Sequence, residues 1–187
     1  LCAAPGGKTM QLASMGAIVT ALDISSKRLE RVKQNLDRTK LKAHCIAADA
    51  LKWKPAERFD AILLDAPCSA SGTIRRHPDL PFAKENFDLG ELLKLQRALL
   101  LKASGWLVPG GELIYSTCSI FSAEGEGQVQ WLSKQNNNLA PQKIDPTLLG
   151  LYEFMANNDG QIRLRPDYFA DQGGMDGFFV AKFSNKN

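Results

Sequence analysis

The sequence predicts an α/β fold, with a mostly parallel β-sheet and helices on both faces. Three observations lead to this prediction. Short apolar runs typical of buried strands alternate along the chain with amphipathic segments typical of helices. Three of these runs end in or directly before an aspartate, at Asp23, Asp49 and Asp65. The 187 residues, 44% of them hydrophobic, are enough for one domain with a buried core.

The first predicted elements are a short helix, a strand and a second helix. The short helix is expected to start within residues 9–15, after a Pro-Gly-Gly-Lys turn, and residues 17–24 (AIVTALDI) read as a buried strand. Ser25 can cap the second helix, in which charged residues surround an apolar stripe. That stripe consists of Leu29, Val32 and Leu36.

Two more strands and a long loop follow. Residues 43–48 read as a short strand, and residues 59–65 (FDAILLD) as the most apolar strand, which we place at the centre of the sheet. The proline-containing segment at residues 66–82 is too long for a simple connection and is therefore a candidate functional loop. Ligands of parallel sheets bind at the carboxyl ends of the strands, so the expected site lies at that edge.

The second half of the chain begins with a long predicted helix at residues 89–103, which carries Leu92, Leu95 and Leu99 on one face. Residues 136–175 are polar and receive no assignment. The remaining predicted elements are a turn at 109–111, a strand at 112–116, a helix at 128–135 and a final strand at 177–183.

Composition narrows the class of protein. The formal net charge is +3, a mild basic excess that is compatible with a polyanionic partner without establishing one. The longest apolar runs are far shorter than the ~18 residues of a membrane span, and no secretory leader is evident. The four cysteines form no CxxC pair, so neither a zinc site nor any other metal site is expected. We therefore expect a soluble, cytoplasmic protein with reduced thiols.

The opening segment, LCAAPGGKTM, predicts a ligand-binding loop. A Walker A loop would need glycine where Cys2 stands, and the dinucleotide fingerprint G-x-G-x-x-G is absent around Gly6 and Gly7. Backbone donors at a helix start could instead hold a small anion, while Asp23 could accept hydrogen bonds from a ribose and Asp49 could lie near an adenine. S-adenosylmethionine has these groups. A plain strand-to-helix turn, with capping or surface aspartates, is the alternative.

Two cysteine motifs stand at later strand ends. DAPCSASGTIRRHPD starts at Asp65 and contains Cys68, and STCSI contains Cys118. Together with CAAPGGKT, these motifs resemble the catalytic domain of the RNA cytosine-C5 methyltransferases of the Nop/Sun family. IRRHPD and MDGFFVAKF most resemble its bacterial B-type branch, which acts on small-subunit ribosomal RNA. The resemblance covers residues 1–183 and implies a class I, Rossmann-like, S-adenosylmethionine-dependent methyltransferase fold.

The chemistry of this family explains the need for two cysteines. Carbon 5 of cytosine is a poor nucleophile until a group adds to carbon 6, and a thiolate suits that addition. The resemblance implies that Cys118 is the nucleophile, that Cys68 assists product release, that Asp65 holds the N3 and amino edge of the cytosine, and that Lys8 adds charge at the same site. The expected cofactor-binding residues are Cys2, Ala3, Ala4, Pro5, Gly6, Gly7, Lys8, Asp23, Asp49 and Asp65.

Other polar and aromatic residues allow more than one interpretation. Arg75, Arg76 and His77 are interpreted as contacts to RNA phosphates beside the target nucleotide, with an ordinary solvated loop as the alternative. Phe178 and Phe179 could stack on a base, but a terminal strand more often uses such residues in the core. Cys45 is expected to be a core residue.

The sequence departs from the family at two places. Residues 124–126 read Glu-Gly-Glu, so Gly125 replaces the usual asparagine. Family members also carry a strand before the glycine loop and RNA-binding parts before that strand. Residues 1–187 are therefore expected to be a truncated catalytic domain whose first strand is largely missing.

Two other functions remain open from the sequence. A non-catalytic RNA-binding module could keep the fold without turnover, and a DNA cytosine-C5 methyltransferase would use the cysteine of the earlier motif, Cys68, as its nucleophile. Methylation of an amino group is disfavoured because APCS follows Asp65, where an N/D-P-P-Y motif would be expected.

Overall fold

The computed structural model of the protein describes residues 1–83, 87–135 and 138–186. These residues form two compact units, Leu1–Ala56 and Glu57–Asn187, and each is considered by itself. Within the described ranges, no helix is long and apolar enough to cross a membrane.

The first unit contains two helices and two parallel strands. Its elements are α1 (Gly7–Ser14), β1 (Thr20–Asp23), α2 (Ser26–Thr39) and β2 (His44–Ala47). Thr20 pairs with His44 and Asp23 with Ala47. As predicted, the Ser25 side chain caps α2 by accepting a hydrogen bond from the Arg28 backbone N–H (3.2 Å). The predicted stripe of α2 is buried together with Ala4 and forms the core of this unit: Leu29, Val32 and Leu36.

Strand β1 is shorter than predicted. The segment at residues 17–24 was expected to be a buried strand, yet Ile18 is 94% exposed and Ile24 72% exposed. The pairing with β2 begins at Thr20, so Ile18 lies before the ladder. It ends at Asp23 because the chain turns there to start α2, so Ile24 lies after the ladder. Cys45 is only partly buried, and its side chain packs against the α2 cluster.

The second unit contains a five-stranded sheet. Its strands are β3 (Phe59–Asp65), β4 (Leu107–Thr117), β5 (Leu139–Gln142), β6 (Ile162–Leu164) and β7 (Phe178–Asn185). β3 and β4 are parallel, as predicted, whereas β7 runs antiparallel to β4, β5 and β6. β3 was expected at the centre of the sheet, but in this five-stranded sheet it is an edge strand that pairs with β4. In the β3–β4 ladder Asp65 lies opposite Ser116, so the segments that follow both strands leave the sheet at the same edge.

Three helices belong to the second unit: α3 (Leu80–Ala83), α4 (Leu89–Gly105) and α5 (Glu126–Gln135). Leu95, which was predicted on the apolar face of α4, is 37% exposed. The polar side chain of Gln96 is fully buried instead, because it hydrogen-bonds inside the candidate site. Single-turn 3₁₀ helices lie at Ser71–Thr73, Ser122–Glu124, Thr147–Leu149, Glu153–Met155 and Ala170–Gln172.

The predicted turn at residues 109–111 lies inside β4. Between the pairs Phe59–Leu107 and Ala61–Glu112, β3 advances by two residues while β4 advances by five, which makes a bulge. Gly110 has φ +76°, and a Cβ on Gly111 would lie 2.9 Å from the Val108 carbonyl oxygen. The glycines therefore accommodate a bulge in one long strand rather than a turn between two elements.

Aromatic residues contribute to the core of the second unit. Tyr115 and Phe179 are fully buried, and their ring centroids lie 6.3 Å apart in an edge-to-face arrangement. Phe183 is also fully buried, since alternate residues of β7 face the core. The prediction that Phe179 packs in the core is confirmed, whereas Phe178 is only partly buried.

Candidate active site

The predicted cofactor loop lies beside the end of β1. The Ala3 N–H donates to the Leu22 carbonyl oxygen (3.0 Å), which fixes the loop along the strand. Gly6 has φ +103°, and a Cβ at this position would lie 3.0 Å from Val32 on α2. No side chain caps α1, and the position of a Cβ on Gly7 is open. The residue before α1 is thus a glycine, which has no side chain to cap the helix, and helix starts of this kind can hold an anion.

Asp23 holds this loop in place. Its side chain is 1% exposed, and Oδ2 accepts a hydrogen bond from the Ala4 N–H while Oδ1 accepts one from the Ser25 N–H (both 3.0 Å). The Arg28 guanidinium lies 3.7 Å from the same carboxylate and donates to the Ala4 carbonyl oxygen (2.7 Å). The structure therefore gives Asp23 a structural role, and its contact with a ribose stays a prediction.

Asp49 follows the neighbouring strand end. The Ala48 N–H donates to the Asp23 carbonyl oxygen (3.0 Å), which brings the two strand ends together. Asp49 Oδ1 accepts a hydrogen bond from the Leu51 N–H (2.9 Å) and thereby caps the following turn. Lys8 is partly buried in the first turn of α1. The roles of Asp49 and Lys8 at a cofactor also stay predictions.

The two motif cysteines, 50 residues apart in the chain, meet beyond the ends of β3 and β4. The Sγ atoms of Cys68 and Cys118 are 3.4 Å apart, and both residues are partly buried. The pKa of the Cys68 thiol is raised, first by its hydrogen bond with the Cys118 sulfur, then by burial and by the negative charge of a Cys118 thiolate. The contact with Cys118 thus disfavours ionisation of the Cys68 thiol.

Asp65 lies at the same edge as the cysteine pair. It is the last residue of β3, and its Oδ1 accepts a hydrogen bond from the Ser116 hydroxyl (3.0 Å). The Gly72 N–H donates to the Cys118 carbonyl oxygen (2.9 Å), so the loop after Cys68 is tied to the segment after β4. The second unit thus brings together three of the predicted site residues.

The predicted RNA contacts are engaged within the protein. The Arg76 guanidinium pairs with both carboxylate oxygens of Asp176, and Arg75 donates to the Gly173 carbonyl oxygen (2.7 Å). These ion pairs lower the pKa of Asp176, chiefly through its hydrogen bonds with Arg76. His77 is exposed. Asp176 was not predicted from the sequence, although it stands in the MDGFF segment that supported the family resemblance.

Glycine at position 125, where the family usually has asparagine, has a steric reason. A Cβ on Gly125 would lie 2.1 Å from Arg163 Nη2 and 3.0 Å from the Phe179 ring. The Arg163 guanidinium donates to the Ser119 carbonyl oxygen (2.6 Å) and to both carboxylate oxygens of Glu126 (3.1 and 2.6 Å). It also lies 4.6 Å from the centroid of the Phe179 ring. Arg163 thus occupies the space that any larger residue at position 125 would need.

A buried polar cluster next to the cysteines was also not predicted from the sequence. Glu124 and Gln96 are fully buried, and the hydroxyls of three serines hydrogen-bond with one another while one of them, that of Ser119, donates to the Glu124 carboxylate. The available signal was Gln96, a polar residue inside the otherwise apolar face of α4. These serines are Ser69, Ser71 and Ser119.

Over residues 1–83, 87–135 and 138–186, no group of three or more His, Cys, Asp and Glu side chains is arranged to hold a metal ion.

Similarity to known proteins agrees with the motifs. A family model described as 16S rRNA methyltransferase RsmB/F matches residues 1–184. The Ribosomal RNA small subunit methyltransferase B of Shewanella oneidensis is 43% identical over 186 residues, which cover 97% of this chain and 41% of that protein. The protein of the same name from Proteus mirabilis is 46% identical over 134 residues, which cover 69% of this chain and 32% of that protein. The chain thus spans less than half of these curated relatives.

Solved structures show the same relationship. NSun6 from Pyrococcus horikoshii, solved with SFG, matches with a TM-score of 0.79 and 29% identity, covering 99% of this chain and 46% of that one. A methyltransferase homologue from the same organism matches with a TM-score of 0.73 and 33% identity, covering 98% of this chain and 59% of that one. The predicted class I methyltransferase fold is confirmed, and the chain belongs to the 16S rRNA methyltransferase RsmB/F family.

Proposed function

We propose that the protein transfers a methyl group from S-adenosylmethionine to carbon 5 of a cytidine in RNA, with small-subunit ribosomal RNA as the substrate and the cytoplasm as its location. Membership of the RsmB/F family supports the reaction class and the RNA. The observation that carries the chemistry is the Cys68–Cys118 pair, whose sulfurs are 3.4 Å apart and which follows the strand ends where Asp65 and Thr117 stand. Two thiols at this distance suit a reaction in which one forms a covalent adduct and the other handles a proton.

The loop at residues 2–8 is the proposed cofactor site. Its uncapped helix start and open Gly7 position fit a carboxylate, and Asp23 and Asp49 follow adjacent strand ends where a nucleoside would lie. S-adenosylmethionine supplies an electrophilic methyl group when bound. Asp23 fixes the loop through the Ala4 N–H, so we expect it to shape the site even where it does not touch the ligand.

The covalent step is assigned to Cys118. Its thiolate adds to carbon 6 of the cytosine, which makes carbon 5 nucleophilic enough to take the methyl group. Once the Cys118 sulfur is bonded to carbon, it carries no negative charge and is a weak hydrogen-bond acceptor. Two of the three causes that raise the pKa of Cys68 are then removed.

Cys68 is assigned the proton transfer that follows. With its pKa lowered by formation of the adduct, the Cys68 thiol loses its proton to bulk water. The resulting thiolate takes the proton from carbon 5, and the electron pair of that C–H bond restores the double bond as the Cys118–carbon bond breaks. Both sulfurs return to their starting states, and one proton is released for each methyl group transferred.

Asp65, Arg75 and Arg76 are assigned to substrate binding. The Asp65 carboxylate accepts a hydrogen bond from the Ser116 hydroxyl through Oδ1, and a carboxylate can accept several hydrogen bonds, which suits the amino group of a cytosine. The two arginine side chains are 41% and 55% exposed beside Asp176, so they can also reach an RNA phosphate. His77, exposed in the same loop, completes the proposed contact surface.

A trapping experiment tests this function. The protein is incubated with S-adenosylmethionine and RNA that contains 5-fluorocytosine, whose fluorine cannot leave as the C5 proton does. We expect a covalent complex with the wild type and with Cys68→Ala, and none with Cys118→Ala. Cys45→Ala, a change in the first unit at a cysteine that belongs to neither motif, is the matched control.

The other outcomes separate the alternatives. RNA binding without an adduct in any variant would indicate a non-catalytic RNA-binding module. An adduct that depends on Cys68 and forms on a deoxycytidine substrate would indicate the mechanism of the DNA enzymes. Loss of trapping when the target ribose lacks its 2′-hydroxyl supports RNA as the substrate.

A further inference from the structure

The carboxyl group of Glu124 lies between the two cysteine-bearing segments. Glu124 is fully buried at the end of the Ser122–Glu124 turn. Buried carboxyl groups are uncommon, and they persist where their oxygens have hydrogen-bond partners. No step of the proposed reaction uses this side chain, so its burial needs another reason.

Glu124 joins the two segments directly. Its Oε1 accepts a hydrogen bond from the backbone N–H of Ser69, the residue after Cys68 (2.9 Å). Its Oε2 accepts one from the hydroxyl of Ser119, the residue after Cys118 (2.5 Å). One carboxyl group thus fixes the position of the residue that follows each cysteine.

The rest of the cluster strengthens the same connection. The Ser71 hydroxyl accepts a hydrogen bond from the Ile120 N–H (3.1 Å), and the hydroxyls of Ser69 and Ser119 lie 3.1 Å apart. Each of these contacts links the loop after β3 to the segment after β4. Within this cluster, Glu124 contacts the backbone of the residue after Cys68 and the side chain of the residue after Cys118.

Glu124 is itself anchored on rigid elements. Its carbonyl oxygen accepts a hydrogen bond from the hydroxyl of Tyr115, a fully buried residue of β4 (2.7 Å). Gln96 of α4 donates to Oε1 (2.9 Å) and also to the Pro67 carbonyl oxygen (3.0 Å). Glu124 is therefore held from the sheet through its backbone and from a helix through its carboxyl group, as the support of a precise site requires.

We propose that Glu124 is a positioning residue that holds the Cys68 and Cys118 sulfurs at the separation on which their division of roles depends. The inference rests on the function proposed above. A sulfur–sulfur contact of 3.4 Å lets one thiol hydrogen-bond to the other sulfur, and this contact is the main reason why the pKa of Cys68 is raised. If the two segments separate, this hydrogen bond is lost and the thiols titrate independently.

The test compares Glu124→Ala and Glu124→Gln with the wild-type protein. Alanine leaves the donors of Ser69, Ser119 and Gln96 without the carboxyl acceptor. Glutamine keeps the shape but places an amino group where one oxygen stood, so one of these contacts must rearrange. The matched control is Glu112→Ala, which removes a half-exposed carboxylate of β4 that pairs with Lys182 (2.6 Å).

The decisive readout is the pH dependence of alkylation at each cysteine, measured by iodoacetamide labelling and peptide mass spectrometry. In the wild type we expect Cys118 to be alkylated at lower pH than Cys68, with well-separated midpoints. In Glu124→Ala the two midpoints converge, and in Glu124→Gln they move toward each other. Cys2 and Cys45 keep their wild-type profiles in every variant and so report intact folding of the first unit.

Trapping on RNA with 5-fluorocytosine gives the second readout. We expect the adduct to form at least tenfold more slowly with Glu124→Ala, while Glu112→Ala matches the wild type. The inference is overturned if both Glu124 variants show the same separation of alkylation midpoints and the same trapping rate as the wild type. If Glu124→Ala does not fold, an unchanged Glu124→Gln profile overturns it alone. Failure of the wild type to trap RNA refutes the proposed reaction, and the alkylation profiles still test the role of Glu124.

Discussion

Replacement of Gly125 by alanine tests how closely the region after β4 is packed. The added Cβ would stand 2.1 Å from Arg163 Nη2, well inside van der Waals contact. The guanidinium must therefore leave its place, because the backbone and the Phe179 ring on the other side have less freedom to move. Arg163 then loses its contacts with Ser119 and Glu126.

The size of the effect follows from these contacts. Arg163 is 15% exposed and Glu126 27% exposed, so their pair is partly desolvated and worth more than a surface ion pair. Hydrogen bonds to charged groups contribute about 1.5–3 kcal/mol each, and the cation–π contact about 0.5–1 kcal/mol. Both charges regain water when the pair breaks, which offsets part of the loss. We expect Gly125→Ala to lower the free energy of unfolding by about 3 kcal/mol.

A double-mutant cycle separates this mechanism from a general packing defect. Arg163→Ala alone removes the same contacts, so adding Gly125→Ala to it should cost less than about 1 kcal/mol more. The free energies of unfolding are measured by urea denaturation for the wild type, both single variants and the double variant. If the two changes are additive, Arg163 does not exclude larger residues from position 125, and steric exclusion by its guanidinium is the wrong reason for the glycine.

Three further predictions follow from individual contacts. Asp23→Asn should cost about 1–3 kcal/mol in urea denaturation, since one of its backbone donors then faces an amino group; an unchanged midpoint would contradict this. Gly72→Ala should abolish trapping, because its Cβ would lie 2.2 Å from the Gly177 carbonyl oxygen and would displace the loop that the Gly72 N–H ties to Cys118. Trapping at the wild-type level would refute this prediction. Asp176→Asn should tighten RNA binding and steepen its salt dependence by about one charge, because Arg75 and Arg76 lose their carboxylate; identical binding isotherms would count against it.

The pH dependence of the Asp176 contact has a definite sign. Its folded-state pKa lies below the ordinary value because of the hydrogen bonds with Arg76. The stabilisation is therefore complete above the pKa of an unfolded aspartate, about 3.9, and is lost as the pH falls through the lower folded-state value. In an acid titration, the free energy of unfolding of the wild type should fall in strongly acidic solution as this contribution is lost. Asp176→Asn lacks the carboxylate and should not show this fall. A matching acid dependence in the two proteins would contradict this assignment.

Local sequence pattern predicted those elements in which the apolar residues mark the buried positions. The stripe of α2 was identified because burial repeats there with the period of the helix, and the final strand was identified as an apolar run, although its alternating burial was not predicted. β4 was divided wrongly because Pro109-Gly110-Gly111 is a strong turn signal, and only the pairing with β3 shows that these residues form a bulge. The motif cysteines were found because their neighbours match a family, and not because any local property of a cysteine marks it as reactive.

The buried cluster around Glu124 could not have been derived in the same way. Glu124 is 55 residues from Ser69 and 28 from Gln96, so its partners are known only once the fold is known. In sequence it is an acid in a polar segment, for which a solvent-exposed position is the reasonable expectation. Its burial becomes favourable because β3 and β4 are parallel and in a register that brings Asp65 opposite Ser116. The same register brings the cysteines together, so the sheet that creates the sulfur pair also creates the polar site that supports it.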